Sequence, residues 1–242
     1  MIGLGVAALL NPDLVPLWSA MPAGVPAHGV IIPIGALISI GTGIGLLFQR
    51  AAAVAARLLL ATLLLWLLLF RAPDFFRGSI FGACWSVFPI ALTLAAAWVL
   101  YTHFANDWDR KHLSFVTGKG GLHLARALYG LCLIFFGLAH FIDMKDTLSL
   151  IPHWIPGHLF WAYFTGCAFI AAGLATLIGF CARVAVALSA FQIGAFLVLV
   201  WIPIDAAGSK GIFQWSETII NVALLAGAWV VSDSYRKGVS VD

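Results

Sequence analysis

Seven long apolar runs, at roughly 28–48, 52–70, 84–102, 122–142, 158–180, 183–202 and 215–232, constrain this chain more than anything else in its sequence. Each reaches or nearly reaches the ~20 residues that a helix needs to cross the hydrocarbon core of a bilayer. In that solvent the backbone must satisfy its own hydrogen bonds, so the runs predict helices packed as a polytopic all-α bundle. Of the 242 residues, 62% are hydrophobic and 10% charged, with a mean hydropathy of +1.03. A soluble domain is about 45–50% apolar and carries about 25% charge, so this hydropathy excludes a soluble globular domain, a disordered chain and a nucleic-acid binder. The expected surroundings are therefore the lipid bilayer, and no nucleic-acid partner is expected. Met1–Leu10 is apolar but too short to span at ~1.5 Å per residue, and it reads as the end of a truncated helix. Cys84, Cys132, Cys167 and Cys181 form no C-x-x-C pair and sit in apolar runs, where they read as small apolar fillers.

The loop charges orient the bundle. One face, X, holds the loops 11–27, 71–83, 143–157 and 203–214, with Arg71, Arg77, Lys145 and Lys210. The other face, Y, carries the remaining nine of the 13 basic residues: Arg50, Arg57, Arg110, Lys111, Lys119, Arg126, Arg183, Arg236 and Lys237. The positive-inside rule makes Y cytoplasmic and puts the C-terminus there. Trp18, Trp85, Trp154, Trp201 and Trp215 fall near the X ends of spans, where an aromatic belt belongs.

The chain also repeats itself. Shifted by 130 without a gap, residues 13–96 answer 143–226, and eleven matches are of informative types: Asp13/Asp143, Ser19/Ser149, Pro22/Pro152, Pro26/Pro156, His28/His158, Gly43/Gly173, Pro73/Pro203, Gly78/Gly208, Ser79/Ser209, Trp85/Trp215 and Ser86/Ser216. The expected fold is two parallel four-helix repeats related by an axis along the membrane normal, the first helix of repeat one being truncated. Repeat one covers 1–103 and repeat two 122–242. The segment 104–121 reads as a cytoplasmic linker whose Asp107, Asp109, Arg110 and Lys111 form a solvated charge cluster. Gly41, Gly43 and Gly45 are expected to let helices approach closely.

YGLCLIFFGLAHFID at 129–143, with IPHWIPGHLFWAYFTGCAFIAAGLATLIGFCAR at 151–183, resembles the DoxX/DoxD-like family of small bacterial membrane proteins. FGLAHF, the P-x-W-x-P loop, FWAYFTG and the AG-x-x-x-L-I-G run carry the resemblance, directly in the second half and in the first through the duplication. It implies a four-helix membrane bundle per unit, a multi-pass place in the bacterial plasma (inner) membrane, and for some members a link to oxidoreductases acting on sulfur compounds and quinone. No catalytic residue can be carried over.

A polar group inside a span calls for an explanation. His140 and Asp143, three apart, share a helix face at the X end of one span, and Glu217 and Asn221, four apart, share one at the X end of another. With His158 and the loop residue His153, they form a candidate polar site open to face X, walled by Trp154, Trp161 and Trp215. Asp143 and His158 have counterparts in Asp13 and His28, which suggests an N-cap and a helix start. His140, Glu217 and Asn221 answer to Leu10, Val87 and Ala91, so the equivalent place in repeat one is expected to be packed and dry. Gln192 lies mid-span, while His103, His112 and His123 read as surface residues. No metal motif, P-loop or dinucleotide fingerprint is present.

Two functions fit. One is a subunit of a membrane oxidoreductase binding a quinone or small redox partner near face X, with His140 and Glu217 as proton donors to its carbonyl oxygens and electrons exchanged with a partner redox protein. The other is a non-catalytic scaffold or a lipid- or small-molecule-binding membrane protein. The topology is directly testable: alkaline phosphatase fused after Asp242 should be inactive and a fluorescent protein there bright, while phosphatase inserted after Leu150 should be active.

Overall fold

The computed structural model describes residues 1–10, 28–76, 78–208 and 212–236. The matches at Asp13, Ser19, Pro22, Pro26 and Ser209, Trp18, and the loop charges Arg77, Lys210 and Lys237 lie outside them. The described residues are helical, without a strand. Six helices are long and apolar enough to cross a membrane. They are α3 (Gln49–Trp66, prolonged to Phe76), α4 (Ile80–Phe104), α7 (Lys119–Ile142), α9 (His158–Ile178), α10 (Ala182–Phe196, prolonged to Ala206 through α11, Ile202–Ala206) and α12 (Ile212–Asp233). The seventh run forms α2, His28–Gly45, which is shorter than these six, and α1 (Ile2–Leu10) is a stub of nine residues, as its length dictates.

Two of the spans change pitch near face X. Both α3 and α10 pass into a five-residue π-helical turn, Leu67–Arg71 and Leu197–Trp201, two residues before Pro73 and Pro203. A proline has no N–H to give and its ring crowds the carbonyl four residues back, so a wider turn relieves the clash. Arg71, expected in a loop, is thereby held inside the structure at 3% exposure.

Helix packing produces two rings of five that share a central pair. One ring runs α1, α2, α3, α4, α12; the other runs α7, α9, α10, α12, α4. Each has its own core. The first is built on Leu4, Ala8, Ile32, Leu63, Ile90 and Ile220, the second on Leu92, Tyr129, Leu133, Phe169, Val186 and Ala228. The shared helices touch at Gly227, where an added Cβ would lie 3.0 Å from Ala96. Of the three glycines expected to allow close approach, Gly43 and Gly45 do, against Ile2 and Ala55, whereas Gly41 faces open space.

In the segment 104–121, Asp107 and Lys111 are exposed as expected, but the backbone is not a loop. It folds into α5 (Asp107–His112) and α6 (Ser114–Thr117), and Asp109 is fully buried. Its Oδ1 accepts from Arg57 Nη1 (2.9 Å) and from Tyr101 Oη (2.9 Å), while its Oδ2 accepts the Asn106 N–H (3.2 Å), closing a capping box on α5. The Arg57 guanidinium also lies 5.7 Å from the centre of the Trp108 ring. The local pattern N-D-W-D is a helix start; only the packing reveals that Arg57 neutralises its second acid while Tyr101 hydrogen-bonds it.

An added Cβ at Gly137 would lie 2.5 Å from the carbonyl oxygen of Gly166. Gly137→Leu should therefore force α7 from α9 and cost about 1–3 kcal/mol, read as a lowered melting temperature in detergent. Gly41→Leu should leave that temperature unchanged.

Candidate functional site

The polar residues singled out in the sequence for this site lie at the end of α7 and at the starts of α9 and α12. His140, two residues from the end of α7, is half-buried among phenylalanines. Its ring stacks on Phe196 of α10 (5.9 Å between centres) and meets Phe169 of α9 edge-on (5.6 Å). Nδ1 donates to the carbonyl oxygen of Phe136 at 2.7 Å. A carbonyl oxygen can only accept, so in the neutral ring this bond places the proton on Nδ1 and leaves Nε2 as an open acceptor. One helix away, Gln192 Nε2 donates to the carbonyl oxygen of Thr165 (3.0 Å), bracing α10 on α9 as an interhelical bond.

Glu217 is half-buried in the first turns of α12. It shares a helix face with Asn221, Leu224 and Ala228, at the i, i+4, i+7 and i+11 spacing; Ala228 belongs to the second ring's core and Leu224 packs against both cores. Next to it, Thr218 Oγ1 donates to Asp205 Oδ2 at 2.5 Å, tying α12 to α11.

Asp143 is used differently from its expected role beside His140. It caps the C-terminal end of α7, and its Oδ2 accepts Trp85 Nε1–H from α4 (2.9 Å). That bond crosses from one half of the chain to the other and rests on an aromatic seam in which Phe88 stacks on Phe135 at 4.4 Å, with Trp85 edge-on to Phe135 at 5.7 Å. His158 opens α9 beside His153, their rings 6.3 Å apart. Among the described residues no hydrogen bond or ion pair joins His140, Asp143, His158 and Glu217 to one another. Trp154, Trp161 and Trp215 are 72%, 40% and 58% exposed, so they point outward like an interfacial belt, and the rings beside His140 are phenylalanines.

In the first half the apolar residues at this level are packed, as expected, though not by Leu10: Ala8 is fully buried in the first core. Leu10 is 80% exposed and lines nothing, and Ala91 faces the core of the second ring. Near face X the first half holds the buried Arg71, and Asp74 in the turn after it accepts from Ser86 Oγ of α4 at 2.6 Å. Sequence reasoning passed over this cluster because Arg71 reads as a loop charge; the signal for it is Pro73, which predicts a distorted turn there. His103, His112 and His123 are exposed, as expected. The four cysteines are free thiols, Cys132 buried and Cys167 and Cys181 exposed, so the filler reading holds for the first better than for the last two. Among the described residues no group of three or more His, Cys, Asp or Glu is placed to hold a metal ion.

The chain matches no protein-family model, no curated protein and no solved structure.

The seam between the halves has a quantitative test. A double-mutant cycle of Trp85→Phe with Asp143→Ala should give a coupling of about 1 kcal/mol in unfolding free energy, and each single variant should keep the helical circular dichroism.

Proposed function

We propose that this chain is two DoxX-like four-helix units fused in parallel in a bacterial plasma membrane, and that its second ring binds a quinone or quinol near face X in the service of a partner redox protein. Several observations support the fusion. The two π turns are 130 residues apart, at Leu67–Arg71 and Leu197–Trp201, as are the starts of α2 and α9 at His28 and His158. Gly5 presses on Ala36 and Ile40 as Gly137 presses on Gly166 and Ile170. This last pairing aligns α1 with α7 at a separation of 132, since Gly5 answers Gly137, so Ala8 rather than Leu10 stands in the place of His140.

His140 carries the binding reading. An imidazole with one nitrogen fixed by a backbone carbonyl, packed between Phe169 and Phe196, offers Nε2 as a single directed acceptor in an apolar setting. A quinol hydroxyl would donate to that nitrogen, and the phenylalanine rings would face the quinol ring. The protonated imidazole would donate to a quinone carbonyl in its place. Glu217, a carboxyl in an apolar span, is the second group able to hold or release a proton there. Electrons would pass to or from the partner.

Chain purified from its native membrane in mild detergent should carry a quinone whose absorbance changes on borohydride addition. His140→Ala and Glu217→Gln should each lower the bound quinone several-fold, while Val87→Ala leaves it unchanged. Wild-type protein with no more quinone than empty-vector membranes overturns this reading and leaves the scaffold role.

A further inference from the structure

At face Y the shared helices part and open a groove of about 350 Å³. Its walls come from Val99, Leu100 and His103 of α4 and from Trp229, Val230 and Asp233 of α12, with Leu122 of α7 at one side. Most of this lining is apolar: Val99 and Leu122 of the second core form its floor, and Trp229, 59% exposed, stands at its open side. Its rim is charged. Arg126 of α7 grips Ser234, a lining residue: Nε donates to Ser234 Oγ at 3.0 Å and Nη2 donates to the Ser234 carbonyl, while the guanidinium lies 3.9 Å over the Tyr235 ring. Arg236 Nη1 donates to Asp233 Oδ1 (2.9 Å), answering the one acid of the lining. With Asp233 paired by Arg236, the guanidinium of Arg126 leaves the rim net positive on the face that carries nine of the 13 basic residues.

An apolar slot in a membrane helix pair with a cationic rim suits one kind of occupant. We propose that the groove is a site for an anionic phospholipid, one acyl chain lying between Leu100 and Trp229 and the phosphate at the rim beside Arg126, Arg236 and His103. The apolar walls give the chain a surface on α4 and α12 together, which a flat helix face does not offer. The remaining N–H groups of the two guanidiniums supply charge-assisted donors to the phosphate oxygens. A lipid there would wedge the diverging ends of α4 and α12, the pair common to both rings. The inference is independent of quinone binding near face X.

The test is native mass spectrometry of the full-length chain in detergent, titrated with phosphatidylglycerol or with phosphatidylcholine of the same acyl chains. One phosphatidylglycerol should be retained per chain with about tenfold preference over phosphatidylcholine. Arg236→Gln combined with His103→Gln should bring retention down to the phosphatidylcholine level. Leu100→Trp should fill the groove and lower retention of both lipids; Val230→Phe, on the opposite wall, replaces it if that variant does not fold. Arg50→Gln, also on face Y but at the start of α3 and outside the groove's lining, should change nothing. Equal retention of the two lipids by the wild type overturns the proposal, as does retention that survives groove filling or that falls equally with the distant charge variant.

Discussion

In hydrocarbon a helix gains little by hiding a leucine, because lipid tails are as apolar as leucine is, so helices must be held by close backbone approach. This constraint organises the whole bundle. Between the long helices and their neighbours, close contacts occur where glycine lets a backbone carbonyl come near: Gly137 on Gly166, Gly173 on Gly130, and Gly5 on Ala36. At the shared pair Gly227 and Ala96 do the same work. Larger apolar side chains then fill the two rings these contacts define, while many others, such as Leu68, Ile178 and Phe191, remain exposed to the lipid that solvates them.

Polar groups are distributed by the same logic, since each must find a partner or an aqueous edge. Hydroxyls in the spans return to their own helix, as Thr176 Oγ1 does to the Ala172 carbonyl and Thr93 Oγ1 to that of Pro89. Charges gather at the two ends. Near face Y, Asp109 draws Arg57 and Tyr101 into one buried network that straps the segment between the halves onto α3 and α4. Near face X, Asp143 takes the Trp85 indole across the seam and Asp74 takes Ser86. His140 stands apart from these pairs because, among the described residues, the one hydrogen bond of its side chain is to its own helix, leaving a ring nitrogen for something else.

The sharing of α4 and α12 has a consequence for the candidate site. The second ring is closed by a helix of the first half, so its aromatic lining includes Phe88, which packs against the second core. A single four-helix unit would leave that side open. His140 therefore belongs to a ring built from both halves of the chain, while Glu217 lies on α12, the helix common to both rings.

The sequence by itself determined the helices. Apolar runs of spanning length admit no other backbone in lipid, and all seven appear, the boundaries shifted mostly by a few residues and two of them prolonged where Pro73 and Pro203 widen the turn. The polar residues inside spans were equally legible, because each stands out against an apolar background. What they touch was not. Helical spacing puts His140 and Asp143 on one face, yet Asp143 turns to Trp85, because a helix end can reach whichever neighbour the packing brings and periodicity carries no information about that neighbour. The same gap hid the burial of Asp109 and Arg71, both of which read as loop charges until α5 and the π turn fold them inward. Tertiary structure alone decided that α4 and α12 lie side by side, since the small residues that let them meet, Ala96 and Gly227, are common throughout the chain and name no partner in sequence.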